Sequence, residues 1–489
     1  MALESVYATL PLTESDYTTG LEPPGLVTRS LRYALIACIA VTVGLVAIAP
    51  VYDIRLAASS SGLQNDNDLT PPILVVKPEM KRLHYCGLGP DMSQTLPRIP
   101  ALADPEYELV QVQAFIRHGA RFINAPAQCW PGQEHVAYNC SLDELTISGH
   151  DLSQRSLSVP RLYRKRYMES RNFFKGDCRL GQLTERGHRQ EVALGNLFRD
   201  AYVDRLIDSD LNPNQVFVRA HDMPRTMMSA QAFISGMFPE HTSSDALASI
   251  VDIWTMDSND EDEVINPHEC PGVDLQREQA RTSPEYVQHE MTVTARLNEQ
   301  ISRVVGVPVE ELGTNKFDCF FISLCQGDPV PDGIDEDLMH AFEAEARYNL
   351  YYMMQYPNRV SGSRLTIGPL LYEILDAMKS IDSTPRFSLY SGHDSGPIML
   401  LLSAFGIEDE HWAPFASYIS LEVYRRHEQH FVRFIYNGSV RHMQIGDASN
   451  GLISLDALEE YLIPMLPTIE ECPQMRRFMP SVSNRFDYA

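Results

Sequence analysis

Three short apolar segments, far apart in the chain, each run straight into charged side chains. Tyr107–Ile116 (YELVQVQAFI) leads into Arg117-His118-Gly119-Ala120-Arg121, the Gln215–Arg219 segment into Asp222, Pro224 and Arg225, and Phe387–Tyr390 into Ser391-Gly392-His393-Asp394. All three have the pattern of buried strands. Between them Thr184–Leu206 and Pro224–Phe238 carry helical spacing, with Thr184 as an N-cap and Pro224 at a first helical position. Ser249–Thr255 reads as a further strand, and Tyr418–Tyr424 with Phe431–Tyr436 as a hairpin pair. From Tyr286 to about Met378 the periodicity is helical, broken at Pro308, Pro329, Pro331 and Pro357. Strands alternating with helices predict an α/β fold: a mostly parallel central sheet flanked by helices, with a helical cap inserted over about 280–380. In such sheets ligands bind beyond the carboxyl ends of the strands. The charged segments would therefore meet in one crevice if their strands are neighbours.

Charge narrows the chemistry. The 489 residues hold 65 acidic and 40 basic side chains, a net charge of −25. That field repels nucleic-acid backbones, so no nucleic acid is expected as partner, and any bound anion needs a local basic cluster. Arg117, Arg121, Arg225, His118 and His393 supply one. Guanidinium forks match phosphate oxygens bidentately, and an imidazole can attack phosphorus without a metal. Gly119 lets the backbone turn sharply beside the anion. Arg219 has two readings, an anion holder or a brace paired with Asp222. No CxxC pair or HExxH helix is present, so no metal or other cofactor is expected. The acidic run Asp257–Glu263 lacks the EF-hand spacing and reads as a solvated loop. His427-Glu428-Gln429-His430 has the wrong spacing for a zinc helix and sits at the hairpin turn. In Gly392-His393-Asp394-Ser395-Gly396 the serine is out of register for a nucleophile elbow.

Arg117-His118-Gly119-x-Arg121, Leu183-Thr184-x-x-Gly187, Val218-Arg219-x-x-Asp222-x-x-Arg225-Thr226-x-x-Ser229-Ala230 and His393-Asp394 fall in this order on the expected elements. The set resembles the histidine acid phosphatases, the second branch of the histidine phosphatase superfamily, over about Tyr107–Met443. The resemblance implies that His118 is the nucleophile forming a phosphohistidine. It implies that Arg117, Arg121, Arg225 and His393 hold the phosphoryl oxygens, and that Asp394 protonates the leaving alkoxide. The family motif continues with Pro where this chain has Ile123, which removes a fixed φ and predicts either a looser nucleophile loop or a re-aimed substrate pocket. A short cytosolic arm, a single anchor and Tyr85-Cys86 resemble a Golgi member of the family acting on a phosphorylated sugar of the proteoglycan linkage region. A general lysosomal or secreted acid phosphatase, or a non-catalytic phosphate-binding membrane protein, are the alternative readings.

Tyr33–Tyr52 contains no charged residue and is long enough, at 1.5 Å rise per residue, to cross a hydrocarbon layer about 30 Å thick. Arg29 and Arg32 precede it, which predicts a type II orientation with everything after Tyr52 in the lumen. A cleaved signal peptide ending at Ala47-Ile48-Ala49 is disfavoured by the long preceding arm and by Pro50. The expected organisation is a cytosolic segment (1–32), the anchor (33–52), a lumenal stem (53–105), the phosphatase domain (106–475) and a tail (476–489). Beyond the anchor lie Cys86, Cys129, Cys140, Cys178, Cys270, Cys319, Cys325 and Cys472, an even set expected to form disulfides of open connectivity. Asn139 and Asn437 head glycosylation sequons. Arg164, Lys165 and Arg166 lie in a basic stretch between Arg155 and Arg179, either a solvated surface or a docking strip for a glycosaminoglycan.

Overall fold

Glu108–Arg117 (β1) is buried on both faces along most of its length, as befits a central strand covered by helices. Val112, Ala114 and Ile116 point into one core and Phe115 into the other. The two glutamines that make this strand look half-polar both donate to groups inside. Gln111 Nε2 donates to the Ala377 carbonyl (3.0 Å) and Gln113 Nε2 to the Ile374 carbonyl (3.1 Å). The computed structural model describes residues 71–87, 96–125, 128–142, 145–147, 162–165, 174–239, 250–312, 316–445 and 451–477.

Val216–Ala220 (β2) and β1 both pair in parallel with Phe387–Gly392 (β3), which lies between them. On the other side of β1 come Tyr418–Arg426 (β4), Gln429–Tyr436 (β5) and Ser439–Arg441 (β6), each antiparallel to its neighbour, and Leu452–Ser454 (β7) also pairs with β5. The seven-stranded sheet runs β6-β5-β4-β1-β3-β2. It is therefore mixed rather than mostly parallel. The turn between β4 and β5, with His427 in the left-handed region (φ 54°), is too short for a crossover and forces antiparallel pairing.

Helix Glu185–Tyr202 (α1) starts where expected: the Thr184 hydroxyl accepts from the Gly187 amide. Helix Pro224–Met237 (α2) has Pro at its first turn. Leu194, Phe198, Phe233 and Met237 from these helices pack on β1 and β3, each such side chain contributing about 1.5–3 kcal/mol on burial. The helical block begins earlier than expected, with Gly272–Thr282 (α3), and continues through Ala295–Val305 (α4), Lys316–Gln326 (α5), Glu336–Gln355 (α6), Arg359–Thr366 (α7) and Gly368–Lys379 (α8). Ile398–Ala404 (α9) follows β3.

Two expectations change. The segment ending at Thr255 is not a strand among the described residues. Only Trp254 bridges to Arg219, and Ile250 and Trp254 are exposed, so no apolar face holds a longer pairing. Nor is the whole of 53–105 a stem. Leu74–Val75 pairs with Val330–Pro331, and Met80, Tyr85 and Cys86 are buried. Polar composition hid this because a few apolar anchors and one disulfide fix the segment. The disulfides are Cys86–Cys325, Cys129–Cys319, Cys140–Cys178 and Cys270–Cys472, all eight cysteines beyond the expected anchor. Such pairing belongs to a chain matured in an oxidising secretory compartment. The expected anchor at Tyr33–Tyr52, Arg166 and most of the basic stretch lie outside the described residues. Among the described residues no helix is long and apolar enough to cross a membrane.

Candidate active site

The carboxyl ends of β1, β3 and β2 lie side by side. Arg117 is in register with Gly392, and Ala220 with Ser391. The His118 amide donates to the Gly392 carbonyl (3.0 Å) and the His221 amide to the Ser391 carbonyl (3.2 Å). The loops after the three strands are thereby stitched together. The His118 and His393 rings meet edge to face with centroids 5.4 Å apart.

Arg117 is fully buried, its guanidinium lying over Phe415 (4.1 Å) and Tyr85 (4.7 Å). It donates to the Tyr85 hydroxyl (2.8 Å) and to the Ala413 carbonyl, and pairs with Asp394 (2.8 Å). Asp394 is held from three sides. Its Oδ2 accepts from Arg117 and from the Trp412 indole N–H (2.7 Å), and its Oδ1 from the Ser395 amide (2.8 Å). Burial pushes its pKa up, but Arg117, the indole N–H and Arg121 outweigh it and hold the carboxyl below its ordinary value of 3.8.

His118 Nδ1 lies 2.9 Å from the Gly119 carbonyl. A carbonyl only accepts, so the Nδ1 carries the proton and the neutral ring keeps its lone pair on Nε2. Burial, then Arg225, Arg117 and Arg121, hold the His118 pKa well below 6.5, so the ring is neutral in acid. Burial, Arg225 and His221 lower His393 likewise. Arg225, at the start of α2, thus acts on both rings. Burial pulls the Arg121 pKa down, but Asp318 on α5, 2.6 Å away, more than compensates and keeps it charged. The second Asp318 oxygen accepts from the Asn124 amide (2.7 Å).

The turn itself is braced by packing. A Cβ on Gly119 would sit 2.3 Å from the Gly187 carbonyl oxygen, so only glycine allows this approach to α1. The Gly119 amide donates to Ser229 Oγ (3.2 Å), and the Ala120 carbonyl accepts from Thr184 Oγ1 (2.9 Å). Ile123 is fully buried and its carbonyl accepts from the Gly181 amide (2.9 Å). Core packing and this hydrogen bond hold the position where a proline would fix φ.

The structure brings Arg117, His118, Arg121, Arg225, His393 and Asp394 to one corner and separates Arg219 from it. Arg219 does not pair with Asp222, which stays exposed. Its guanidinium meets Glu261 (2.6 Å), Asp262 (2.5 Å), Glu373 (3.2 Å) and Glu263 (3.4 Å), all buried. The end of the acidic run, Glu261–Glu263, is thus a buried partner for a buried arginine, while Asp257–Asn259 stay exposed as expected of a solvated loop. Its spacing gave no hint, because the cation comes from β2.

Sequence reading also missed His221, whose Nδ1 is 2.8 Å from His393 Nε2, as well as Trp412 and Asp318. His221 stood in the same block as Arg225 and could have been found there; Trp412 and Asp318 carry no local signal. The expectation of no metal came from local spacing alone; the fold brings His84, Glu343 and His411 together from distant positions, with one possible ligand atom of each within 4.8 Å of the others.

A buried neutral imidazole amid three arginines, beside an ionised carboxylate, suits a phosphoryl group. The model of the histidine phosphatase superfamily, branch 2, matches residues 108–437. The chain belongs to that family. This histidine phosphatase is 31% identical to counting factor 60 of Dictyostelium discoideum over 69% of its own length and 82% of the relative's. It is 27% identical to lysophosphatidic acid phosphatase type 6 of Mus musculus, over 68% and 79% of the two chains. With lysosomal acid phosphatase of Bos taurus it shares 26% identity over 51% of its length and 61% of the relative's. The apo multiple inositol polyphosphate phosphatase of Bifidobacterium longum has the same fold, with a TM-score of 0.52 at 11% identity, over 78% and 97% of the chains. This histidine phosphatase is a phosphomonoester hydrolase of the histidine acid phosphatase type.

Proposed function

We propose that His118 Nε2 attacks phosphorus in line with the ester oxygen, so that an N–P bond forms as the O–P bond breaks. The supporting observation is the tautomer: Nδ1 is committed to the Gly119 carbonyl, which leaves Nε2 as the nucleophile. Arg117, Arg121, Arg225 and His393 hold the phosphoryl oxygens, whose charge needs fixed positive partners in a dry site. Asp394 delivers a proton to the leaving alkoxide. Because it rests ionised, that proton enters with the substrate: a phosphomonoester monoanion, the form present below about pH 6, carries one. In the second step water attacks phosphorus, the N–P bond breaks and Asp394 takes the proton from water. No metal takes part in either displacement.

The preferred substrate is a phosphorylated sugar, 2-phosphoxylose of the proteoglycan linkage region, as in 2-phosphoxylose phosphatase. A type II anchor at Tyr33–Tyr52, Golgi residence, glycosylation at the exposed Asn139 and the half-buried Asn437, and a glycosaminoglycan contact at Arg164, Lys165 and Arg166 belong to the same reading. The likeness to lysosomal acid phosphatase favours a second reading, a general acid phosphatase of the secretory pathway. Turnover of phosphorylated linkage-region glycan against p-nitrophenyl phosphate in EDTA separates them. Preference for the glycan by about a hundredfold in kcat/KM supports the first, and equal turnover the second. Absence of any phosphate release above a His118→Ala control would overturn both.

A further inference from the structure

We propose that His84, His411 and Glu343 form a binding site for a divalent ion of the zinc class, next in sequence to Tyr85 and Trp412, which hold the Arg117–Asp394 pair. His84 opens the short turn His84–Cys86, Glu343 lies on α6 and His411 on the loop between α9 and β4. Their ligand atoms lie within 4.8 Å of one another. The two imidazoles stack with centroids 4.5 Å apart, and His411 Nδ1 is 3.6 Å from Glu343 Oε1. Ligands on a tetrahedral ion with bonds of about 2.0–2.1 Å are about 3.4 Å apart, so small side-chain rotations complete the set.

The half-buried His84 ring is hydrogen-bonded to the Trp412 backbone, and its Nδ1 is one of several buried side-chain atoms among the described residues that no protein group satisfies. The chemistry of the donors selects the ion: two imidazoles and one carboxylate suit zinc, whereas magnesium and calcium take oxygen ligands. The Glu343 side chain is 8% exposed and that of His411 40%, so the site is closed inward and open outward, with room for water as a fourth ligand.

Each histidine adjoins a residue that holds the catalytic pair. Next to His84, the Tyr85 hydroxyl accepts from Arg117. Next to His411, the Trp412 indole donates to Asp394 (2.7 Å) and its backbone amide to Glu343 Oε1 (2.7 Å). An ion here would clamp the segment before β1, the cap and the Trp412 loop together. It touches no substrate and takes no part in the displacements; it acts through Tyr85 and Trp412. This coupling, but not the site, rests on the proposed roles of Arg117 and Asp394.

The test is a titration of the metal-stripped full chain with Zn²⁺ by calorimetry and with Co²⁺ by its visible absorption, with Mg²⁺ as control. One Zn²⁺ per chain is expected, a tetrahedral Co²⁺ spectrum, and affinity lower by about tenfold or more in His411→Ala and in Glu343→Gln. His118→Ala should bind Zn²⁺ like the wild type, which separates failure of this site from failure of the catalytic reading. No saturable binding, or binding undiminished in His411→Ala, would overturn the site. Should Glu343→Gln fail to fold, His411→Ala, altered at a ring that is 40% exposed, decides. Saturating Zn²⁺ should change kcat of the wild type about threefold or more and leave that of His411→Ala unchanged. An equal change in both, or none in either, overturns the coupling.

Discussion

Two arginines lie near the carboxyl ends of β1 and β2, the strands on either side of β3, and they meet opposite surroundings. Arg117 closes β1 among aromatic rings with one carboxylate, Asp394, in a corner otherwise lined by Arg121, Arg225 and three neutral imidazoles. Arg219, on β2, faces four buried carboxylates. The first corner sets Arg117, Arg121 and Arg225 against Asp394 and Asp318, whereas the second sets four carboxylates against one guanidinium. Identical residue types at equivalent strand ends therefore divide between binding and scaffold, and what divides them is supplied by other parts of the chain.

The largest expected effect falls on the first corner alone. His118→Ala should lower kcat by about 10⁴-fold or more with an unchanged melting temperature; retained turnover would remove His118 as the nucleophile. Asp394→Asn should cost about 10²- to 10⁴-fold on a sugar phosphate and far less on p-nitrophenyl phosphate, whose leaving group needs no proton. Equal losses on both substrates would mean that Asp394 positions Arg117 and donates nothing.

Arg219→Ala should act on the second corner instead, lowering stability by about 3–5 kcal/mol because buried carboxylates lose their cation. Its loss should shrink in acid, where the carboxyls protonate. A loss of kcat in a normally stable variant would place Arg219 in the phosphate site after all.

The two corners also pull the pH dependence of stability in opposite directions. Burial lowers the pKa values of His118, His393 and His221, so below their ordinary 6.5 the unfolded chain takes up protons that the fold refuses, and stability falls as pH drops. Burial raises Asp262 from 3.8 to about 6, and it raises Glu263 well above 4.5. Elsewhere burial lifts Asp328 from 3.8 to about 7 and Glu191 well above 4.5. For these the fold keeps protons that the unfolded chain releases, so stability is lost as pH rises from the ordinary value through the raised one. For Asp262 this loss falls between about pH 4 and 6, and for Asp328 between about pH 4 and 7. Asp262→Asn should therefore flatten the dependence of the melting temperature on pH between about 4 and 6, and an unchanged profile would mean that this carboxyl is solvated. The smallest effect concerns the turn: Ile123→Val should cost about 0.5–1.5 kcal/mol of stability with kcat within about twofold.

Much of the first corner was legible in the sequence, because Arg117, His118 and Arg121 share one turn and His393 and Asp394 another. The strands and helices that carry them followed from period and from the Thr184 and Pro224 signals. Parallel pairing was over-extended, since the short turn at His427 had already fixed β4 and β5 as a hairpin. The second corner was illegible: Glu261–Glu263 have the composition of a surface loop, and only tertiary structure brings Arg219 to them. Tyr85, Asp318 and Trp412 were missed for the same reason, each reaching the site from a separate element.

The strand of residues around Tyr85 has a practical consequence. A fragment cut at the limits of the family match, 108–437, would omit the hydroxyl on which Arg117 rests and would strand Cys325 and Cys270 without Cys86 and Cys472. The hereditary unit shared with other phosphatases is thus smaller than the piece that has to be made intact for the enzyme to mature. Secreted versions intended for assay should begin ahead of Leu74 and run past Cys472.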